Sequence, residues 1–255
     1  MSAGAIACAA LAFDANAQDT ISYIENNVAS GTTGVAVDSS VVTAILSQPG
    51  TFGGHTYSYY IFPIYDGTGS LAVDGSATQM GGYTPTVGDS INVTGEYYPY
   101  HLMPEIENPF GSTPVVLNSQ NNSVPAPVIA TIPQLNTATP GYGLLGYYLE
   151  LQNVTINSGT FTTFPNANEA WTVSDGVNSM QLYYWYTSYS ADGQMYGTGT
   201  TPVPTGLVDI YGIVQVVSGT AEIVPIQIVS VPEPSTIALA GLGLLGLLAV
   251  HRRQR

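Results

Sequence analysis

The side chains that could do chemistry in this 255-residue sequence are mainly phenols. Its 18 tyrosines include three clusters, YSYYIF (57–62), EYYPYH (96–101) and QLYYWYTSY (181–189). Aromatic rings stack on nucleobases and on the apolar faces of sugar rings. The alternative is that tyrosine, a good strand former, fills half-buried sheet positions with its hydroxyl in water. The residues that we predict to stack on a ligand are Tyr60, Tyr98, Tyr100, Trp171, Tyr184 and Trp185.

Patterns typical of hydrolases are missing from the sequence. It contains no G-x-S-x-G and no H-E-x-x-H, and its one cysteine is Cys8 in the apolar N-terminal stretch. His55, in GGHTY, has no nucleophile motif near it. Because catalysis needs a nucleophile with a base, or paired carboxylates in a cleft, we expect that the chain is not an enzyme.

Two acidic patterns could bind a metal ion. His101, Glu105 and Glu107 are separated by even numbers of residues, so an unbroken strand would place them on one face. Prolines at 104 and 109 argue against such a strand. Asp-Gly pairs are typical of turns, and calcium binding is their less common use. We therefore predict no metal and no cofactor, with calcium as the alternative at the pairs that begin at Asp66, Asp74, Asp175 and Asp192.

Charge narrows the choice of ligand. The sequence has 17 Asp and Glu but only 3 Lys and Arg, all within the last four positions, and its formal net charge is −14. Nucleic-acid binding draws much of its affinity from Lys and Arg that displace counterions from phosphates. The composition therefore disfavours nucleic acid, and a neutral sugar is the preferred ligand for the tyrosines.

The body of the sequence repeats itself at an interval of 109–117 residues. Three pairs of segments align in the same order: 19–24 with 130–135, 66–71 with 175–180, and 91–97 with 208–214. Such spacing predicts two copies of one module. The residue pattern of each copy begins with a helical turn, capped by Thr20 in the first copy and by Thr131 in the second. Strands are predicted to follow, among them 147–156 in the second copy. Hairpins follow at the Asp-Gly pairs of 66–67 and 175–176, and another joins the last two strands.

Five short strands in about 100 residues predict an all-β fold of two tandem small barrels. The run of strand, DGTG, strand, then GD-x-I-x-V-x-G and EI resembles the OB-like modules of secreted bacterial proteins. An immunoglobulin-like sandwich pair is the alternative fold. We place the first OB-like domain at 18–122 and the second at 123–230, with a linker near 118–128. The glycine- and proline-rich segments 76–87 and 191–204 predict a loop where the OB pattern has a helix.

In such barrels the three tyrosine clusters fall on the second and third strands and on the loop between the fourth and fifth. This is the face with which OB-folds bind oligonucleotides and oligosaccharides.

The N-terminus has the composition of a secretory signal. An apolar core precedes Ala15 and Ala17, whose small side chains suit a cleavage site before Gln18. We predict a signal peptide at 1–17, although no basic residue precedes its core.

The C-terminus predicts a membrane segment. Residues 236–250 carry no charge, and the cluster of Arg252, Arg253 and Arg255 follows as a stop signal that stays in the cytoplasm. The segment 231–255, with Pro232, Glu233 and Pro234 before the apolar run, resembles the PEP-CTERM sorting signal. That resemblance implies an exosortase as processing partner, and transfer to the cell exterior. The alternative is a permanent membrane anchor.

These features predict an exported protein that is anchored in the membrane before processing and then lies at the cell surface or in the extracellular matrix. Because exosortase systems accompany exopolysaccharide production and biofilm, we expect a non-catalytic binding or structural role there. The alternatives are an accessory module for nucleic acid or for a hydrolase, and a calcium-dependent adhesive protein.

Overall fold

The computed structural model describes residues 19–52, 55–110, 114–136, 144–157, 170–183 and 203–232. Within these ranges the chain is built of β-strands with two short helices. In chain order the elements are α1 (Ile21–Asn27), β1 (Thr32–Val42), β2 (Gly50–Phe52), β3 (His55–Tyr57), β4 (Tyr59–Tyr65), β5 (Ser70–Ser76), β6 (Ser90–Tyr97), β7 (Glu105–Glu107), β8 (Val115–Ser119), β9 (Val128–Ala130), α2 (Ile132–Asn136), β10 (Leu149–Ile156), β11 (Ala170–Ser174), β12 (Ser179–Tyr183), β13 (Val208–Val217) and β14 (Thr220–Ser230).

The first sheet closes into a five-stranded barrel. Its strands follow the order β1-β4-β5-β7-β6, and β6 pairs again with β1. All neighbours are antiparallel except β5 and β7, which are parallel. Strand β8 adds to the outside of β6. The separate hairpin of β2 and β3 precedes the second barrel strand.

The second sheet repeats this topology. Its order is β10-β11-β12-β14-β13, β13 pairs again with β10, and the one parallel pair within the ring is β12 with β14. Strand β9 adds to β10 in parallel. The five-strand order is the OB-like one expected from the sequence. The immunoglobulin-like alternative is wrong, because each sheet returns to its first strand instead of leaving two open layers.

Two glycines that are 117 residues apart explain one of the repeated motifs. A Cβ atom on Gly95 in β6 would overlap Ile106 Cγ2 and lie 2.7 Å from the carbonyl oxygen of Glu107 on β7. A Cβ atom on Gly212 in β13 would overlap the carbonyl oxygen of Val224 on β14. In both barrels the fourth strand thus approaches the fifth too closely for any other residue.

The predicted Asp-Gly hairpin turns are present in both barrels. Asp66-Gly67 joins β4 to β5 and Asp175-Gly176 joins β11 to β12, with glycine φ values of 92° and 90°. The turn prediction for Asp74-Gly75 is wrong, because both residues lie within β5. Gly75 is required there by packing, since a Cβ atom would lie 2.8 Å from Pro109 Cδ.

The helices also follow the sequence pattern. Thr20 caps α1 by accepting the N–H of Tyr23 at 3.2 Å. At α2 the N–H of Thr131 instead donates to Gln134 Oε1 at 2.9 Å, which is one half of a capping box. Between the third and fourth strands of the first barrel, residues 77–82 form turns and no helix, as predicted. The corresponding segment of the second barrel lies mostly outside the described residues.

Each barrel has its own apolar core, and a third cluster joins the two barrels. The barrel cores centre on residues such as Phe62 and Ile64 in the first, and Leu149 and Ile210 in the second. The third cluster brings Ala44, Leu46, Ala72 and Met103 of the first barrel against Ile213, Val224 and Ile226 of the second. The two barrels therefore share an apolar interface.

Both predicted sorting segments fall outside the described residues, apart from 231 and 232. In the part of the chain that the structure describes, no helix is long and apolar enough to cross a membrane. The signal peptide at 1–17, the membrane helix at 236–250 and the domain limits at 122 and 230 stay predictions.

Candidate functional site

A turn that carries two open tyrosine rings joins the fourth and fifth strands of the first barrel. We call residues 98–103 the aromatic turn. Tyr98 and Tyr100 are 44% and 47% exposed, although both follow the well-buried strand end of β6. The ring of His101 lies 3.9 Å from that of Tyr100 at an interplanar angle of 59°. The backbone holds the turn closed, because Tyr100 and Met103 exchange N–H···O bonds of 3.0 and 2.9 Å.

The aromatic turn adopts a conformation that its residues disfavour. The φ values of His101 and Leu102 are 49° and 61°, where an L-residue with a Cβ atom is strained by roughly 1–2 kcal/mol. The matching turn of the second barrel, 117 residues later, has Ser218 and Gly219 with φ values of 51° and 84°. Asparagine or aspartate followed by glycine is the usual choice for such turns. The first barrel therefore has two bulky residues, His101 and Leu102, in a strained conformation where the second barrel has serine and glycine.

Contacts with the second barrel hold this strained turn. The carbonyl oxygen of His101 accepts the N–H of Val216 on β13 at 2.8 Å. Met103, at the end of the turn, is fully buried in the cluster between the barrels. The two exposed tyrosine rings therefore lie on a turn that is anchored to the second barrel.

The wall beside the aromatic turn is strongly acidic. Burial and the charges of Asp74 and Glu107 raise the pKa of Glu105 well above its usual range, and that side chain is 2% exposed. Burial and the charge of Glu107 raise the pKa of Asp74 to about 7. These side chains alternate with Val73 and Ile106 of the core, so they face the outside of the barrel. No lysine or arginine precedes residue 252 to neutralise them.

The predicted stacking residues do not form one surface. Tyr98 and Tyr100 lie together on the loop between the fourth and fifth strands, as predicted. Tyr60 lies on β4, the second strand of the barrel, but its ring packs against the first core and its hydroxyl is 3.5 Å from Thr84 Oγ1. Strand β4 pairs with β1 and β5, whereas the aromatic turn joins β6 and β7, so Tyr60 does not lie on a strand next to Tyr98 and Tyr100.

The tryptophan prediction must be corrected. Trp171 lies on β11 and is 6% exposed within the core of the second barrel. A buried indole offers no face to a ligand, because inward positions of a closed barrel are filled by packing. Tyr184 and Trp185 lie outside the described residues.

The alternative metal site is not assembled. His101 lies in the aromatic turn, whereas Glu105 and Glu107 lie on β7, and the change of direction at the turn breaks the even spacing. Within the described ranges no group of three His, Cys, Asp or Glu side chains could hold a metal ion. The carboxylates of Asp66 and Asp175 accept N–H groups of their own turns at 2.6–3.0 Å, which is their structural use.

The tertiary structure also forms a cavity that the sequence did not indicate. It has a volume of about 90 Å³ and lies where the linker passes between the barrels. Its walls come from the first barrel (Thr43, Tyr65 and Ser70), the linker (Pro125, Ala126 and Val128) and the start of the second barrel (Tyr147 and Tyr148). Only the YY pair at 147–148, the first two residues of the strand predicted at 147–156, could have signalled it.

Two carboxyl groups outside the lining of this cavity act electrostatically on Tyr147. Asp66 follows the lining residue Tyr65, and a Cβ atom on Gly69, beside Ser70, would lie 3.3 Å from Glu25 Oε2. Burial and the charge of Asp66 raise the pKa of Glu25 to about 7. Burial and the charge of Glu25, together with Tyr65 and Asp66, raise the pKa of Tyr147 to about 12. The cavity therefore has aromatic walls, and neither carboxyl group is part of them.

Of the predicted processing residues only Pro232 is described, and it is exposed after the last strand. Ala15, Ala17, Glu233, Pro234 and the three arginines lie outside the described ranges.

Solved structures with similar folds are distant from this chain. A murine DNA-binding protein bound to double-stranded DNA has 13% identity and a TM-score of 0.41, over 80% of this chain and 98% of that one. A HINa domain in complex with 20-base-pair DNA has 9% identity and a TM-score of 0.39, over 78% and 98%. A replication protein A heterotrimer bound to single-stranded DNA has 9% identity and a TM-score of 0.35, over 83% and 52%. These values are too low to bear on function.

Sequence comparison identifies the C-terminal segment. No curated protein matches the chain as a relative. Residues 230–253 match the family model described as the PEP-CTERM protein-sorting motif, in agreement with the resemblance of the Pro-Glu-Pro segment. The chain is therefore an exported protein that carries a PEP-CTERM sorting motif, by which an exosortase processes it.

Proposed function

We propose that this chain is a non-catalytic protein of the cell surface or extracellular matrix that binds exopolysaccharide through its aromatic turn. One observation carries the proposal: the rings of Tyr98 and Tyr100 are exposed on a strained turn that is hydrogen-bonded to the second barrel. Strained backbone persists where the surrounding structure holds it, and it is frequent at binding sites. A turn whose backbone is held before binding loses little backbone entropy when a ligand stacks on its side chains.

The charge of the body favours a sugar over a nucleic acid as the ligand. The sequence carries a formal net charge of −14, and no lysine or arginine precedes residue 252. A phosphate backbone would be repelled by this charge and would meet no basic side chain on the barrels, whereas a polysaccharide without phosphate groups would not be repelled in this way. Tyrosine rings also offer an apolar face with a polar tip, which suits sugar rings.

The proposal contains no catalytic step. Carboxyl groups with a raised pKa are candidates for acid catalysis when they line a cleft. Glu105 does not line a cleft. Its side chain points away from the core of the first barrel but is buried, and its neighbours are the carboxyl groups of Asp74 and Glu107. We ascribe their raised pKa values to burial and to the proximity of the carboxyl groups to one another, and we assign them no catalytic role.

The ends of the chain complete the proposed route. A signal peptide at 1–17 would start export, and the segment 236–250 would hold the protein in the membrane with its arginines in the cytoplasm. Processing near Pro232 would then release the two barrels to the cell exterior. Association with exopolysaccharide and biofilm is the role that this route favours.

Binding of the host's own purified exopolysaccharide to the processed protein tests the proposal. We expect saturable binding that is about tenfold weaker when Tyr98 and Tyr100 are both changed to alanine, because two stacking contacts are removed. Tyr59→Ala is the matched control, since Tyr59 is 52% exposed on β4 and belongs to neither site. Equal loss in the control, or binding only of single-stranded DNA that weakens with salt, would contradict the proposal.

A further inference from the structure

Strand β8 leaves one edge of the first sheet open. It pairs with β6 and, among the described residues, with no other strand. The N–H of Thr94 donates to the carbonyl oxygen of Pro114 at 3.0 Å, so these two residues face each other as a hydrogen-bonded pair. Hydrogen-bonded and non-hydrogen-bonded pairs alternate along antiparallel strands. The backbone groups of Val116 therefore point to β6, and those of Val115 and Leu117 point to the open edge.

This open edge is apolar and carries no charge. The side chains of Val116 and Leu117 are 39% and 42% exposed. Exposed edge strands usually carry charged side chains that prevent pairing with another chain. Residues 108–149 contain no Asp, Glu, Lys, Arg or His, and residues 90–95 of the neighbouring β6 contain none either. An unpaired and uncharged strand edge is a site at which another strand can be added to the sheet.

The charge of the chain favours a second copy as the source of that strand. With a formal net charge of −14, two copies repel each other over most of their surfaces. Contact along β8 brings no like charges together, because neither strand of the contact carries any. A basic partner would find no carboxylate to bind along this edge.

We infer that two copies of this chain associate through β8, as antiparallel strands centred on Leu117, so that one sheet continues from one copy into the other. In this arrangement the two Leu117 residues exchange backbone hydrogen bonds, and their side chains form a cross-strand pair. On the other face of the sheet, Val116 of each copy lies opposite Asn118 of the other, so no charge is buried. A two-fold axis through the pair closes the assembly as a dimer.

The dimer contact lies away from the aromatic turn. Strand β8 pairs with residues 90–93 of β6, whereas the aromatic turn begins at Tyr98, beyond the opposite end of that strand. Association through β8 therefore does not depend on what the aromatic turn binds, and the inference is independent of the proposed function.

Sedimentation equilibrium of the processed protein over a range of concentrations tests the inference. We expect a monomer–dimer equilibrium that shifts toward the dimer as salt is added, because salt screens the repulsion between the two negative chains. Leu117→Lys should weaken association at least about tenfold, since it places like charges opposite each other at the centre of the contact. Val177→Lys is the matched control, because it adds the same charge at a 91% exposed position in the turn between β11 and β12.

A second variant, Leu117→Pro, tests the backbone hydrogen bonds separately. Proline removes an N–H that points to the open edge, and edge strands accept proline, so thermal unfolding of the monomer should be unchanged while association weakens. A protein that stays monomeric at every concentration and salt would overturn the inference and leave the edge to a strand of another protein. A dimer that both Leu117 variants leave unchanged, or that Val177→Lys weakens equally, would also overturn it. Changing Tyr98 and Tyr100 to alanine should leave the dimer intact, so a failure of glycan binding is distinguishable from a failure of association.

Discussion

Replacing Asp74 by asparagine should change how the stability of this protein depends on pH. Asp74 lies on β5 directly opposite Glu107 on the parallel strand β7, and like charges in facing positions destabilise a sheet. Its Oδ1 atom is buried without a hydrogen-bond partner among the described residues. The charged form is therefore poorly accommodated in the folded state, and Asp74→Asn removes that charge with little change in shape.

The size of the effect follows from the pKa of Asp74. Burial and the charge of Glu107 raise it from 3.8 to about 7. The folded state therefore holds a proton that the unfolded state releases, so stability is lost as the pH rises from about 4 to 7. The full difference corresponds to roughly 4 kcal/mol, of which about 2.5 kcal/mol falls between pH 5 and pH 8. Glu25 and Glu105, whose pKa values are also raised by burial, add to the same trend.

Urea unfolding at these two pH values measures the effect. Asp74→Asn should exceed the free energy of unfolding of the unchanged protein by about 1.7 kcal/mol at pH 5 and by about 4 kcal/mol at pH 8, so that the difference between the two proteins grows by about 2.5 kcal/mol. Asp175→Asn is the control, because backbone and side-chain donation from Asn178 lowers the pKa of Asp175 and keeps it charged at both pH values. A stability that is flat or rises from pH 5 to pH 8, or an equal gain in the control, would refute the reasoning.

Four further substitutions test the fold. Gly95→Ala should lower the free energy of unfolding by about 2–3 kcal/mol, because the added methyl group overlaps strand β7, and a loss below about 1 kcal/mol in urea would disprove that approach. Asp66→Ala should cost about 2 kcal/mol by removing the acceptor of four hydrogen bonds, one of them from α1. Asp175→Ala should cost less in the same assay, because its bonds stay within its own turn, and equal losses would contradict this. Leu102→Gly should raise the melting temperature, since glycine adopts a φ of 61° without strain, and a decrease would show that the leucine contacts outweigh it.

Local sequence rules predicted the parts of the fold that depend on neighbouring residues. The Asp-Gly turns at 66–67 and 175–176 form because only glycine accepts their φ of about 90° at no cost. The alternation of Leu149 and Leu151 with polar neighbours correctly indicated which face of β10 is buried. The same rule failed at Asp74-Gly75, where glycine serves a close approach to Pro109 in the folded barrel. A dipeptide carries no information about a partner that lies 34 residues away.

The candidate site was predicted only in part for the same reason. Aromatic spacing identified Tyr98 and Tyr100, which stay exposed because they follow the end of β6. It also selected Trp171, whose side chain points into the second core. The cavity beside Tyr147 was missed, because its walls come from segments that are up to 105 residues apart.

By itself the sequence determined the destination of this protein, its strongly negative charge and its construction from two copies of one strand pattern. These properties follow from composition and from short motifs, which act through local chemistry. Only the tertiary structure decided which tyrosines are open, which carboxyls are buried against each other and where the two barrels enclose a cavity. Those properties depend on closure of each barrel and on the apolar interface between them, which bring together residues that are distant in the chain.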